Sequence, residues 1–299
     1  MIPALLWLAL VAAPGDQFKK LSACVQQKNH DCISSILSST DKNESPEYLA
    51  LVARACMIVG RRNDAASAID RALQLQPGNY DHLMEQGWIF QKSDNQLAAI
   101  HSFLLAAQSK PKAPATFYEL GMSFFLMNEY RRAAPHFRHV LALDPKNDRA
   151  EFMLGILDIM DNAAPEAKPH YEKALQLQPK NPHYLLHYGV LLNQLGQPQQ
   201  AIALMLEAEK LDPSNPLTHY NLGRVYLENG KLTQARDELE ASIRLRQDLT
   251  PAFYKLGTVY RALGERAKAR EALKRYKTLK QKEEKEEEDP ADATLLLAR

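Results

Sequence analysis

The 299-residue chain is poor in several features that mark large protein classes. It has three cysteines, too few for a disulfide framework. Its twelve glycines disfavour glycine-rich phosphate loops and turn-rich β folds. A formal net charge of +1 lacks the basic excess of a nucleic-acid binder. Beyond the N-terminus there is no apolar run of the roughly 18 residues that a membrane span requires. Catalytic signatures are missing too. Gly-x-Ser-x-Gly, a glycine-rich P-loop, a dinucleotide fingerprint, His-Glu-x-x-His and Cys-x-x-Cys do not occur. What remains is 45% hydrophobic and 24% charged residues, an ordinary balance that excludes a wholly disordered chain.

The N-terminus stands apart. Ile2–Ala13 is a continuous apolar run, too short to cross a bilayer but suited to the h-region of a signal peptide. No Lys or Arg precedes it. Small residues follow, and cleavage after Ala12 or Gly15 starts the mature chain near Asp16. Residues 1–15 are therefore expected to be a signal peptide, and the protein to be exported to a periplasmic or extracellular space. Were the run not a signal, it would form an apolar N-terminal helix on the fold, and the protein would be cytoplasmic. Leu21-Ser22-Ala23-Cys24 has the form of a lipobox, but Asp16, Gln17, Phe18, Lys19 and Lys20 separate it from the apolar run. Cys24 reads instead as a small residue packed between helices.

The body of the chain is periodic. Pro77, Pro111, Pro145, Pro179 and Pro213 follow one another at steps of 34 residues. Gly87, Gly121, Gly155, Gly189, Gly223 and Gly257 keep the same step, as do the alanines from Ala65 to Ala269. Three independent markers sharing one period, without insertion, identify a repeat. With proline at position 32, the units span 46–79, 80–113, 114–147, 148–181, 182–215, 216–249 and 250–279.

Each unit reads as two helices. Positions 4, 7, 8 and 11 form one stripe, as in Phe117, Leu120, Gly121 and Phe124, and positions 20, 24 and 27 form another, as in Ala167, Tyr171 and Ala174. Position 15 reads Gly60, Asp94, Asn128, Asn162, Gly196, Gly230 and Gly264, the residue types that tolerate φ > 0, and predicts a left-handed residue ending the first helix. Proline at 32 helps end the second. Glycine or alanine at position 8 is expected to face alanine at position 20, so that the two helices approach closely. Pro135 and Pro169 fall inside second helices and predict bent or locally widened turns. A hairpin alone leaves one apolar face uncovered, and stacking the next hairpin covers it.

Tyr220-Asn221-Leu222-Gly223-Arg224-Val225-Tyr226 and Tyr171-Glu172-Lys173-Ala174-Leu175-Gln176-Leu177-Gln178-Pro179 resemble the first- and second-helix motifs of the tetratricopeptide repeat family. The resemblance runs from Pro46 to about Leu279 and implies an all-α, right-handed α-solenoid, a superhelix of 34-residue helix-turn-helix units. The chain departs from the family at position 4, which has Leu49, Leu83, Glu151, Leu185 and His219 where tryptophan is usual. Gln247 and Gln281 replace proline in the last two units.

In this family positions 5, 9 and 12, about 100° round the helix from the hairpin-facing stripe, line a concave groove. Here that face carries Trp88, Tyr118, Met122, Phe125, Phe152, Ile156, Ile159, Leu186, Val190, Tyr220, Leu227 and Tyr254, with His183, His187 and Arg224 at its edge. The resemblance implies an apolar site for a partner's amphipathic helix or extended peptide. The competing reading is that these residues pack against the neighbouring repeat. Lysine at 5 and asparagine at 9, the family's carboxylate clamp, occur in no unit, so chaperone C-terminal carboxylates are not expected to bind.

Other features read more plainly. His183 and His187 have i, i+4 metal-ligand spacing but no third ligand nearby in sequence, so no metal or other cofactor is expected. His136 and His139 are placed on an outer helix, facing solvent. Asp16–Ser45 reads as a shorter capping hairpin, in which Cys24 and Cys32 are suitably spaced to bridge if the protein is exported. Cys56 reads as inert core. Leu273–Glu288 reads as an extra helix, with a basic cluster from Arg266 to Lys282 followed by an acidic run. The cluster is either a site for an anionic partner or, since the acidic run offsets it, a solvated cap. Residues 280–299 are its charged end and a disordered tail. The chain is thus expected to be a non-enzymatic scaffold or assembly factor for a protein partner, with no nucleic acid and no membrane span in the mature form. The alternative is an accessory subunit of a secretion or envelope enzyme complex whose catalytic part is another chain.

Overall fold

The computed structural model describes residues 16–38 and 44–288. The apolar run Ile2–Ala13 and the tail Pro290–Arg299 lie outside them. Sixteen helices and no strand occur among the described residues. A short hairpin, α1 (Asp16–Gln26) and α2 (His30–Leu37), comes first. The first helices of the repeats follow as α3 (Pro46–Ile58), α5 (Tyr80–Lys92), α7 (Pro114–Leu126), α9 (Asp148–Met160), α11 (Pro182–Gln194), α13 (Pro216–Glu228) and α15 (Thr250–Ala262). Their partners are α4 (Arg62–Leu75), α6 (Gln96–Ser109), α8 (Tyr130–Leu143), α10 (Ala164–Leu177), α12 (Pro198–Leu211), α14 (Leu232–Leu245) and α16 (Arg266–Glu288). The chain divides into two compact units, Met1–His136 and Phe137–Arg299. Within each, hairpins stack in chain order, as in α-solenoids. No described helix is long and apolar enough to cross a membrane.

The turn chemistry follows from position 15. All seven residues there have φ between +57° and +81°. Each turn is closed by the N–H of position 16, which donates to the carbonyl of position 11, as in Arg61 to Cys56 at 2.8 Å and Lys231 to Tyr226 at 2.9 Å. This is the six-to-one bond of a Schellman cap, which occupies one of the carbonyls a helix end leaves unpaired. A periodic signal absent from the sequence reading lies at position 34. Asn79, Asn147, Asn181 and Asn215 each accept backbone N–H groups of the helix that follows. The dipeptides Asn181-Pro182 and Asn215-Pro216, an N-cap followed by proline at N1, carried that signal.

The small residue at position 8 has a different partner from the one expected. A Cβ added at Gly223 would meet the Leu239 side chain at 2.6 Å and the Ala235 carbonyl oxygen at 3.2 Å. At Gly189 it would meet Met205 at 2.9 Å and the Ala201 carbonyl at 3.1 Å. Position 8 therefore makes room for the large side chain at position 24 and lies against the backbone, not the methyl, of position 20. The alanine at 20 is fully buried in every unit from Ala65 to Ala235, which lets the second helix come close.

Pro135 and Pro169 sit in the second turns of α8 and α10, and both helices keep fourteen residues. Leu273–Glu288 is not a separate helix. It continues α16, which runs 23 residues from Arg266 because neither glycine nor proline interrupts it. By contrast α14 ends at Leu245 without a proline at 247, since Leu249 turns inward to a buried position and Pro251 lies in the first turn of α15.

In the capping hairpin Leu21, Cys24 and Ile33 form a core with Tyr48, Leu51 and Ala55 of α3. Cys24 and Cys32 are joined by a disulfide with Cα atoms 5.9 Å apart. Cys56 is a buried free thiol, its pKa raised by burial.

Candidate functional site

The residues expected to line a groove divide by depth. The buried ones are at position 5. Tyr118 and Leu186 are buried, and Leu186 belongs to the core shared by α11 to α16. These two back the first-helix face and offer it little surface. Phe152 and Tyr220 at the same position are half-buried, and Tyr254 is 47% exposed, with its ring 5.3 Å from that of Tyr276 on α16.

In the first unit Trp88 is the most open of the candidates at 40% exposure, while Met122 and Phe125 are half-buried. Trp88 lines a cavity of about 650 Å³ with Arg54, Tyr80, Asp81, Met84, Glu85 and Ala115, contributed by α3, α5 and α7. Arg54 Nε donates to Glu85 Oε2 at 2.9 Å in its lining. Burial raises the Glu85 carboxyl pKa, and Arg54 opposes this by holding it charged. The sequence stripe located Trp88 but not the charged pair that lines the same cavity.

In the second unit Phe152, Ile156 and Ile159 of α9 are half-buried, packed against a core of Ala167, Tyr171 and Leu191. The Phe152 ring stacks on Tyr184 at 4.5 Å and meets the His187 ring edge-on at 5.1 Å. Phe152 thus packs against the next repeat while remaining only half-buried. Val190, Tyr220 and Leu227 are half-buried along α11 and α13. His183 and His187 are exposed. Surrounding protein disfavours the charged form of His187, and the His183 ring adds a smaller push in the same direction. Arg224 is half-buried and donates to Glu228 at 3.3 Å and to Asn221 at 3.3 Å.

Two features escaped the sequence reading. His136 is half-buried rather than fully solvent-facing, with its ring stacked on Phe124 at 5.3 Å. His139 is exposed, as expected. At the C-terminal end a cavity of about 820 Å³ opens between α14, α15 and α16, lined by Ile243, Phe253, Leu256 and Tyr260 and by Arg244, Lys268, Lys274 and Arg275. Part of the basic cluster thus borders an apolar cleft, which charge counting along one helix could not reveal.

The polar residues at position 4 are also explained. Glu151 accepts from His170 at 2.7 Å, and His219 pairs with Glu238 at 2.8 Å. Both pairs join position 4 to position 23 of one hairpin, with histidine and glutamate exchanged.

Family models described as tetratricopeptide repeat match residues 59–114, 162–216, 192–257 and 251–279. No curated protein matches the chain in sequence. Among solved structures, the chain resembles the APC/C hetero-tetramer Cut9-Hcn1 with a TM-score of 0.65 and 16% identity, over 80% of this chain and 48% of that one. It thus spans about half the length of that relative. A tetratricopeptide repeat protein from Parabacteroides merdae matches with a TM-score of 0.64 and 18% identity, over 79% of this chain and 94% of that one. YrrB, described as a TPR protein with an unusual peptide-binding site, matches with a TM-score of 0.50 and 23% identity, over 60% of this chain and 93% of that one.

Proposed function

The chain belongs to the tetratricopeptide repeat family, and from that premise we propose that it is a non-catalytic scaffold that holds a partner protein on the exposed side of its first helices. The fold is one used by interaction scaffolds, and YrrB is described as having a peptide-binding site. The observation that carries the proposal is Trp88. An indole 40% in water, over a cavity that pairs apolar side chains with one ion pair, is the composition of a binding hot spot. In the second unit the half-exposed Phe152, Ile156, Ile159, Val190 and Tyr220 offer a further apolar strip, suited to an amphipathic helix or an extended peptide.

Exposure by itself does not single out this face, because Leu97 on α6 is 70% exposed. The two faces are separated by placing a photo-crosslinking amino acid at Trp88 or at Leu97 in the native host. The expected outcome is one abundant protein adduct from position 88 and none of comparable yield from 97. Equal or inverted yields would remove the first-helix site. A captured enzyme subunit would make the chain an accessory subunit.

Export belongs to the same proposal. The run Ile2–Ala13 has the form of a signal sequence, and a Cys24–Cys32 bond suits an oxidising compartment. Intact mass of protein from the native host is expected to give an N-terminus near Asp16 and no free thiol at Cys24 or Cys32. A chain that retains Met1 or Ile2 in the cytoplasmic fraction would overturn it.

A further inference from the structure

His219 lies in the second unit at position 4 of its repeat, where a tryptophan would fill the hairpin. It is almost fully buried, 6% exposed. Its Nε2 is 3.0 Å from the carbonyl oxygen of Pro213. A carbonyl can only accept, so Nε2 carries the hydrogen. The other nitrogen, Nδ1, then faces two carboxylates: Glu238 Oε2 of α14 at 2.8 Å and Glu209 Oε1 of α12 at 3.8 Å. The three ligand atoms all lie within 4.8 Å of one another.

A neutral imidazole would direct its lone pair at Nδ1 towards two negative oxygens, which is repulsive. A proton shared between Nδ1 and Glu238, or a bound cation, relieves this repulsion. A proton on Nδ1 satisfies only the nearer partner, Glu238. Glu209 Oε1, 3.8 Å away, gains no hydrogen bond from it. A dication satisfies all three groups at once. Metal–ligand distances of about 2.0–2.2 Å place tetrahedral ligands roughly 3.3 Å apart, a separation bracketed by the 2.8 and 3.8 Å distances observed. The Pro213 carbonyl supplies the outer hydrogen bond that fixes the tautomer of a metal-bound histidine.

We propose that His219, Glu209 and Glu238 bind one divalent cation of the zinc class, which ties α12, α13 and α14 together and keeps a fourth position for water. One imidazole and two carboxylates suit such an ion. The site spans two repeats, so the ion reinforces the stacking of one hairpin on the next.

The His170 pair supplies an internal control. Its Nδ1 meets Glu151 at 2.7 Å, but the second carboxylate, Asp158, lies 3.7 Å from the opposite nitrogen, Nε2. The two acids face different edges of the ring, and no single ion reaches both. The composition is alike, but the geometry does not converge on one point.

The test uses the untagged full chain, stripped by a chelator and titrated with zinc against a competing fluorescent indicator at pH 7.5, with metal content measured by mass spectrometry. One zinc per chain is expected, together with a rise in melting temperature on zinc addition. Glu209→Gln leaves the buried histidine paired with Glu238 and is chosen to preserve the fold. It should weaken binding at least ~tenfold, the lower end of what outer-shell losses alone cost, and abolish the rise in melting temperature. His170→Ala and His183→Ala should bind as the parent chain does. Absence of stoichiometric zinc, unchanged affinity in Glu209→Gln, or loss of binding in His183→Ala would each overturn the site.

Discussion

Gly87→Ala is expected to lower the melting temperature clearly, whereas Gly155→Ala should leave it nearly unchanged. Both glycines occupy position 8 in the middle of a first helix, where alanine is the better helix former by about 1 kcal/mol. The difference lies in what the new methyl meets. At Gly87 it would stand 2.3 Å from Phe103 Cε1 and 2.6 Å from Cδ1, well inside contact distance. Phe103 is fully buried, so its ring has no free space to swing into. Overpacking of this kind costs roughly 1–3 kcal/mol, enough to outweigh the propensity gain in most of that range. At Gly155 the same methyl would be 3.2–3.3 Å from the Tyr171 ring, which a shift of a few tenths of an ångström relieves. Each kcal/mol moves the midpoint by about 2–4 °C in domains of roughly this size. Thermal unfolding of the two variants side by side checks the claim, and equal melting temperatures would refute it.

Tyr171→Ala is expected to be more damaging, with a loss of about 3–5 kcal/mol, the range for truncating a buried aromatic side chain. Tyr171 is 2% exposed and is the ring on which α9, α10 and α11 converge, 5.7 Å from Phe152 and 6.3 Å from Tyr188. Its hydroxyl makes no hydrogen bond among the described residues, so Tyr171→Phe should cost less than about 1 kcal/mol, well below the truncation. Because stability in stacked repeats is mainly a nearest-neighbour sum, the damage should be local. Hydrogen exchange should accelerate over residues 148–194 and change little over 216–262. Uniform acceleration along the whole chain would show that the repeats unfold as one block. The same substitution removes the support beneath Phe152, Ile156 and Ile159, so partner capture on that strip should fall with it.

The repeat, its period and its hairpins were legible without coordinates, because they rest on local rules. A left-handed residue every 34 positions, from Gly60 to Gly264, ends a helix by backbone sterics alone. The spacing of apolar residues assigned the hairpin-facing stripe for the same reason: a helix presents positions three and four apart to one side. The Cys24–Cys32 pair was a candidate because the two cysteines lie eight residues apart on the two helices of one hairpin. Even the missed asparagines at position 34 were local signals, open to a reader of N-caps.

What tertiary packing decided was depth and company. Tyr118 and Trp88 occupy faces that the helical wheel assigns to one groove, yet Tyr118 is buried and Trp88 is 40% exposed, because neighbouring helices cover one and not the other. Position 8 opens onto the side chain at 24 rather than the alanine at 20, a result of how two helices interlock that periodicity along either one does not contain. Most of all, Glu209, His219 and Glu238 stand ten and nineteen residues apart in sequence and on three different helices, with no motif to join them. Local rules act through the backbone within a few residues. Convergence of charges from separate hairpins depends on the distance and rotation at which one repeat stacks on the next, and those are set only when the whole apolar face is closed.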